Sequence, residues 1–298
     1  DPFLLEDFAA DSSGAGRRLV SLIEAAGDVF GVLVFPDGLT GNCSDFLGVL
    51  DDSLGPEPVV LGGTSGDGMR MERTWQYFGG RAVSGAVSGV LLRGRGRVTW
   101  AVSHGCTPIG LQRVVTEADG GWVKKIDGQP AWDVFREYLA GDVDTLNFEG
   151  IIHLCVGLPL DGEAAEEYGD YRIVTPMRLD PESGALYFPG GGIEAGATIQ
   201  LTRRDEDAIR VSAGACARRV AAECADGDPA FVLQFDCAGR GRALFGPRTS
   251  DAVVRPLRAE FAQGVPWLGF HTYGEIAPVA GERRYHNYTV VLCGIVDE

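Results

Sequence analysis

The chain has 298 residues, 45% of them hydrophobic and 23% charged, which is long enough for two cooperating subdomains with a sizeable buried interior. Its 42 acidic residues outnumber the 26 lysines and arginines, and the net charge of −16 would repel phosphate backbones and anionic lipids. We therefore expect neither nucleic acid nor a membrane as a partner, and no apolar run approaches the roughly 20 residues of a membrane-spanning helix.

The seven cysteines are an odd number and are scattered along the chain. No paired spacing indicates a disulfide framework or a structural zinc site, which favours a reducing cytoplasm. No signal-peptide pattern is visible. Because the chain begins at Asp1 rather than at a methionine, a leader or an upstream domain is left open.

The first part of the chain predicts helices that alternate with short apolar strands. Helical spacing of apolar residues, capping residues and glycine-rich breaks define the boundaries. The predicted elements are a helix capped at Ser12 and ended by Gly27, a strand at 29–35, a helix capped at Ser44, a strand at 59–61 and a loop at 62–68.

Alternating apolar residues interrupted by glycines then predict two β-hairpins. One spans residues 82–100 with its turn at 93–96, and the other spans 113–126 with its turn at 119–121. A helix with Pro130 in its first turn follows. Polar residues 141–147 interrupt the periodicity, and we predict a boundary there between subdomains 1–146 and 147–298.

The second part is predicted to continue with strands and one long helix. The helix begins at Asp205, and Ile209, Ala213, Cys216, Val220 and Cys224 form its apolar stripe. The remaining elements are strands at 151–156, 171–174, 185–188, 197–201, 230–235, 267–270 and 288–293 and a helix at 251–261. Since hairpins outnumber strand-helix-strand units, we expect an α+β (mixed α/β) fold whose two subdomains each have a largely antiparallel sheet covered by helices.

Common enzyme signatures are missing from the sequence: there is no phosphate loop, no strand-linked dinucleotide fingerprint and no His-Glu-x-x-His zinc helix. Two His-x-Cys pairs, at His104/Cys106 and His153/Cys155, would place both side chains on one face of a strand. Such a pair suits a thiolate–imidazole couple or a soft metal. Packing of these cysteines as small hydrophobes is the competing interpretation.

The segment 269–275 combines an aromatic pair, an imidazole, hydroxyl groups and a carboxylate around Gly274. A small-molecule pocket needs this mixture, because apolar walls supply burial and a few polar groups fix orientation. Upstream, Cys237 and Arg240 follow an apolar strand and could face the same cavity. A strand end with ordinary solvated side chains fits the pattern equally well.

Several segments, taken in order, resemble the FIST sensory domain in its N-terminal and C-terminal halves, and the resemblance covers nearly the whole chain. These segments are residues 62–68, 115–120, 126–131, 237–240, 269–278 and 286–289. The resemblance implies an intracellular input domain that binds a small molecule such as an amino acid and signals through a partner protein.

With the resemblance, the predicted ligand-binding residues are Cys237, Arg240, Phe270, His271, Tyr273, Gly274, Glu275, His286 and Asn287, joined by Gly63 and Asp67 from the N-terminal half. We expect Arg240 to pair with an anionic group of the ligand and Glu275 to accept from an amine or hydroxyl. Phe270 and Tyr273 would form the walls.

Two alternatives of other classes stay open. The first is an enzyme with Cys237 as nucleophile, His271 or His286 as base and Glu275 as the group that orients the base. The second is a haem-binding nitric-oxide sensor, as some FIST proteins are described, with His104, His153, His271 and His286 as the imidazole candidates. No Cys-x-x-Cys-His attachment site is present, so haem would bind non-covalently.

Overall fold

A computed structural model describes residues 1–139, 154–188, 193–224 and 229–297. The chain divides into two compact units: the first consists of Asp1–Gly105 and Ile209–Glu298, and the second of Cys106–Ala208. The predicted boundary between residues 146 and 147 lies outside the described residues and stays a prediction.

The described residues form strands and helices in the following order along the chain. The strands are β1 (Pro2–Leu5), β2 (Val29–Pro36), β3 (Val59–Gly63), β4 (Gln76–Phe78), β5 (Arg81–Val83), β6 (Val87–Arg93), β7 (Gly96–Ser103), β8 (Cys106–Asp119), β9 (Trp122–Ile126), β10 (Gln129–Pro130), β11 (Cys155–Pro159), β12 (Tyr171–Val174), β13 (Arg178–Leu179), β14 (Leu186–Tyr187), β15 (Thr198–Arg204), β16 (Phe231–Cys237), β17 (Trp267–Thr272), β18 (Glu275–Val279), β19 (Glu282–His286) and β20 (Val290–Asp297). The helices are α1 (Ser12–Ala26), α2 (Cys43–Ser53), α3 (Ala131–Arg136), α4 (Gly162–Tyr168), α5 (Glu206–Glu223), α6 (Arg242–Phe245) and α7 (Arg255–Arg258). A 3-10 turn (Gly246–Arg248) and a π-helical turn (Ser250–Val254) join α6 to α7.

The first two helices begin earlier than the sequence predicted. The carboxylate of Asp11, not Ser12, caps α1 by accepting from the amide of Gly14 at 2.7 Å. Asn42, not Ser44, caps α2 and accepts from the amides of Ser44 and Asp45. Both correct capping residues carry a short side chain with a carbonyl-type oxygen that reaches the exposed amides of the first turn.

The first sheet of unit 1 has six strands in the order β1-β6-β2-β3-β18-β19. Only β2 and β3 run parallel; the other neighbours are antiparallel. Leu19 of α1 and Phe46 of α2 pack onto the sheet beside Val34 and Val60 in one hydrophobic core. The hairpin of β18 and β19 was not predicted from the sequence, although it supplies one edge of this sheet.

The second sheet of unit 1 has four strands in the order β17-β16-β20-β7. The predicted stripe of α5 is confirmed, because all five of its residues are buried and four of them pack with strand residues such as Val232 and Leu292. The predicted hairpin at 82–100 is wrong. β6 pairs with β1 and β2 in the first sheet, whereas β7 pairs with β20 in the second, so the two strands belong to different sheets.

Unit 2 contains an antiparallel sheet in the order β12-β11-β15-β8-β9-β14-β13, with the short β10 paired to β9. The predicted hairpin of β8 and β9 is confirmed, with Gly120 and Gly121 at positive φ in its turn. Trp132 and Phe135 of α3 lie in the core of this unit. The mixed α+β fold with mostly antiparallel sheets is therefore as predicted. Within the described ranges, every helix is too short or too polar to span a bilayer.

Candidate functional site

The predicted segment 269–275 carries the chain from one sheet of unit 1 to the other. β17 ends at Thr272 in the second sheet, Tyr273 and Gly274 form a two-residue link, and β18 begins at Glu275 in the first sheet. Glu275 lies opposite Gly63 of β3, and the Thr64 amide donates to the Gly274 carbonyl at 2.8 Å. The fold therefore brings Gly63 next to Gly274 and Glu275, as the sequence hypothesis requires.

Tight packing surrounds the two-residue link. A Cβ atom at Gly274 would lie only 2.0 Å from the Tyr285 hydroxyl oxygen, so the ring of Tyr285 occupies the space of a side chain. The Tyr285 hydroxyl donates to the Tyr273 carbonyl at 3.3 Å, and the side-chain amide of Asn287 donates to the same oxygen at 3.4 Å. Asn287 thus helps to hold the link in place.

Glu275 is fully buried and bonded to neighbouring residues. Its carboxylate accepts from the hydroxyl of Thr289 at 2.7 Å, from the Thr289 amide at 3.2 Å and from the hydroxyl of Thr272. Burial raises the pKa of Glu275 to about 8, because it outweighs these hydrogen bonds and the nearby Asp236 charge acts in the same direction. Glu275 is placed inside the protein rather than towards a solvent-filled cavity.

Replacing Glu275 by glutamine is expected to remove part of the pH dependence of stability. Between pH 4.5 and about 8 the folded protein keeps a proton that the unfolded chain releases, so stability falls as pH rises through this interval. One such group changes the free energy of unfolding by at most about 1.4 kcal/mol per pH unit. Urea unfolding at pH 5 to 9 measures the slope.

The matched control for this experiment is Glu282→Gln, an exposed change on the neighbouring strand β19. We expect Glu282→Gln to keep the wild-type slope and Glu275→Gln to flatten it. An unchanged slope in the Glu275 variant would show that this carboxyl group ionises in the folded protein much as it does in the unfolded chain.

Arg240 is also fully buried, and its charge already has a partner. Its guanidinium donates to Asp236 at 2.8 Å and to the carbonyl of Ile209 at 3.4 Å. Gln234 donates to the same oxygen of Asp236 at 3.0 Å. The structure therefore places Arg240 in an internal ion pair at the end of β16, with its charge directed at Asp236.

Cys237 and His286 are buried, and His271 is half-buried. Burial, and then the charge of Glu275, raise the pKa of the Cys237 thiol, which keeps it protonated and weakly nucleophilic. His271 Nδ1 lies 3.3 Å from the Asp236 carbonyl, and His286 Nε2 lies 3.1 Å from the carbonyl of Ala277. These surroundings are typical of a structural thiol and argue against the enzyme alternative.

Asp67 organises the loop between β3 and β4. Its two carboxylate oxygens accept from the amides of Arg70 (3.1 Å), Met71 (3.0 Å), Glu72 (2.7 Å) and Arg73 (3.1 Å). Burial alone would raise the pKa of Asp67, but the Tyr273 hydroxyl and these amides outweigh it, and the pKa lies well below its usual range. The carboxylate therefore stays ionised and fixes residues 67–73, which we name the Asp67 loop.

Tyr273 connects the Asp67 loop to the two-residue link. Its hydroxyl donates to Asp67 and accepts from the amides of Met69 at 2.8 Å and Asp67 at 3.3 Å. Burial and the hydrogen bond to Asp67 raise the pKa of Tyr273 to about 12. Its ring lies against Gly66, where a Cβ atom would be 3.2 Å away. Tyr273 thus anchors the loop.

A cavity of about 400 Å³ opens beside the Asp67 loop. It is lined by Gly66, Asp67, Gly68, Arg70, Arg73, Trp75 and Tyr77. Of the predicted site residues, only Asp67 lines it. Phe270 instead packs against Phe35 and Phe235, with ring centroids 5.8 and 5.6 Å apart.

The four large side chains of the lining, Arg70, Arg73, Trp75 and Tyr77, were not predicted from the sequence. A signal for the two aromatic residues was present, because Arg73, Trp75 and Tyr77 alternate in the sequence with the uncharged polar residues Thr74 and Gln76. That alternation is typical of a strand with one face outside. Here the outer face carries one cation and two aromatic rings.

Haem does not fit the residues that line this cavity. Haem needs an axial ligand such as histidine facing a large apolar pocket, and the lining has two arginines and no histidine. His271 is half-buried and His286 is buried, each with a ring nitrogen at a backbone carbonyl, and His153 is outside the described residues. We derive no role for haem from this site.

The two His-x-Cys pairs converge through their cysteines. Sγ of Cys106 on β8 lies 3.9 Å from Sγ of Cys155 on β11, the two strands that flank β15. Both thiols are buried. Among the described residues, no group of three or more histidine, cysteine or acidic side chains is arranged to hold a metal ion.

Comparisons with known proteins agree with the resemblance noted in the sequence. Residues 3–129 match the FIST N domain, and residues 131–278 match the FIST C domain. An uncharacterised protein of Mycobacterium tuberculosis strain H37Rv is 32% identical over 295 residues, which covers 98% of this chain and 74% of the relative. An uncharacterised protein of Mycobacterium bovis is 33% identical over 296 residues, with the same two shares covered.

Proposed function

The chain belongs to the FIST family, with FIST N and FIST C domains over nearly its whole length, and from this premise we propose that it is a sensory module for a small ligand. The ligand is an amino acid or a similar metabolite that carries an anionic group. Binding changes the surface offered to a signalling partner protein. The free, buried cysteines favour a cytoplasmic location. The net charge of −16 disfavours nucleic acid and anionic membranes as partners.

The observation that carries this proposal is the pair of arginines in the cavity. Among the described residues, neither Arg70 nor Arg73 has an acidic side chain within ion-pair distance, although the chain has 42 acidic residues. A guanidinium group presents paired N–H donors that match a carboxylate. Two such groups at one cavity favour an anionic ligand.

The Asp67 loop keeps this pair in place before a ligand arrives. The amides of Arg70 and Arg73 bind opposite oxygens of the Asp67 carboxylate, so one side chain fixes both positions on the loop. Less ordering is then needed on binding, which improves affinity. Tyr273 joins this loop to the link between the two sheets. A change in the loop on ligand binding would therefore reach the rest of unit 1 through Tyr273.

Replacing Arg73 by alanine is expected to weaken binding of the anionic ligand at least about tenfold, because a charge-assisted pair contributes roughly 1.5–3 kcal/mol. The ligand is first sought by native mass spectrometry of freshly purified protein. Its effect is then measured as ligand-induced thermal stabilisation, with a panel of amino acids and related acids.

Arg81→Ala is the matched control. Arg81 is another exposed arginine of the N-terminal half, and it pairs with Glu6 away from the cavity lining. It should leave ligand stabilisation unchanged. If Arg70→Ala and Arg73→Ala both respond to the ligand as the wild type does, the cavity is not the binding site.

A further inference from the structure

We propose that the ligand of this cavity is a planar ring bearing an oxyanion, with the ring between Trp75 and Tyr77 and the oxyanion at Arg70 and Arg73. This inference rests on the proposed function and adds the chemical class of the ligand. The oxyanion is a carboxylate or a phosphate, since a guanidinium pairs with either in the same two-point geometry.

The segment 73–77 is held from inside and displays its other face. Thr74 and Gln76 are buried: the Thr74 hydroxyl accepts from the Gly38 amide at 3.2 Å, and the side-chain oxygen Oε1 of Gln76 accepts from the Ala86 amide at 3.2 Å. Arg73, Trp75 and Tyr77 are exposed in alternation with them. The inner hydrogen bonds therefore set the direction of the outer side chains.

The two aromatic side chains stand apart from each other on that face. Trp75 is 40% exposed and Tyr77 is 74% exposed, and no ring contact joins them in the described part of the chain. Residues i and i+2 of an extended segment are about 6.6–6.8 Å apart. Since carbon atoms in contact are about 3.5–4.0 Å apart, a flat ring with a contact on each face needs about 7–8 Å, which the two side chains provide if they diverge slightly from this backbone spacing.

Trp75 already has one cationic neighbour. The guanidinium carbon of Arg73 lies 4.2 Å from the centroid of the Trp75 ring. This cation–π contact holds the guanidinium beside the ring, where its N–H donors can pair with an oxyanion. The order Arg73, Trp75, open space and Tyr77 thus matches a ligand whose charged group projects from the edge of its ring.

The shape of the surface favours a small molecule over a protein partner. Exposed tryptophan, tyrosine and arginine also concentrate in protein interfaces. Here they line a concave space of about 400 Å³, a volume within the range of small-ligand sites. A flat patch would be the better match for a partner protein.

The test uses the whole chain and four probes of similar size: benzoate, phenyl phosphate, cyclohexanecarboxylate and benzamide. Isothermal titration calorimetry measures each dissociation constant. We expect benzoate or phenyl phosphate to bind at least tenfold more tightly than cyclohexanecarboxylate, which lacks the flat ring, and benzamide, which lacks the charge. The tighter of the two aromatic anions identifies the oxyanion.

Tyr77→Ala should weaken the aromatic anions at least tenfold and leave cyclohexanecarboxylate unchanged. Leu268→Ala removes an equally exposed apolar side chain that is not part of the cavity lining and should change nothing. Equal binding of benzoate and cyclohexanecarboxylate would overturn the planar-ring inference and leave the proposed anion site standing. Failure of all four probes and of every acid in the stabilisation panel would overturn the proposed function itself.

Discussion

Replacing Arg240 by methionine is expected to lower the free energy of unfolding by about 3–5 kcal/mol. The substitution leaves Asp236, which is 2% exposed, without the guanidinium that neutralises it at 2.8 Å. A buried charge without a partner is costly, whereas the methionine chain fills much of the space of the arginine stem. Urea unfolding at neutral pH gives the value.

The control for this prediction is Arg81→Met, which breaks an exposed ion pair with Glu6 and should cost no more than about 1 kcal/mol. The double variant Arg240→Met with Asp236→Asn should lose less than the sum of the two single variants, because both members of the ion pair are then gone. A small loss of stability in Arg240→Met, together with a lost response to ligand, would favour the original hypothesis that Arg240 binds the ligand.

Replacing Gly274 by alanine is the second substitution expected to be severe, with a loss of about 3 kcal/mol, at the upper end of the overpacking range. The new Cβ atom would lie 2.0 Å from the hydroxyl oxygen and 2.1 Å from Cζ of Tyr285. Tyr285 belongs to the hydrophobic core beneath the first sheet, so its ring has little room to move. Thermal and urea unfolding both report the change.

Gly48→Ala in α2 is the matched control, since no atom lies within 4 Å of its added Cβ atom. It should stabilise the protein by about 0.5–1 kcal/mol, because alanine loses less backbone freedom in a helix than glycine. Adding Tyr285→Ala to Gly274→Ala should produce a smaller loss than the two changes summed. Strict additivity would show that the glycine is needed for a reason other than this contact.

Local patterns predicted individual elements better than their pairing. The stripe of α5 and the hairpin of β8 and β9 depend on neighbours in sequence, and both are confirmed. The hairpin expected at 82–100 was wrong because β6 and β7, although adjacent in sequence, pair in different sheets. β18 was missed because its polar Glu275 and its Pro278 do not resemble an interior strand, yet all five of its residues are buried.

For the candidate site too, the sequence predicted local properties of residues but not their contacts. The sequence showed that Glu275, Arg240 and Cys237 are chemically able to bind or react, but it could not show that they lie inside, bonded to Thr289 and Asp236. It also suggested Asp67, which lines the cavity and whose carboxylate binds the amides of its own loop. The lining arginines gave no comparable signal, because an arginine in a loop is ordinary until the absence of a partner is known.

The sequence by itself determined the family, the α+β class, the helix stripe and the set of polar residues in 269–275, because these depend on composition, spacing and order. Only the tertiary structure decided which of those polar residues face inward. Burial and charge pairing depend on strands that are distant in sequence, as when Glu275 lies opposite Gly63 and Tyr273 reaches Asp67. For the same reason, the pairing of Arg73 with Trp75 at an open cavity became visible only in the folded chain.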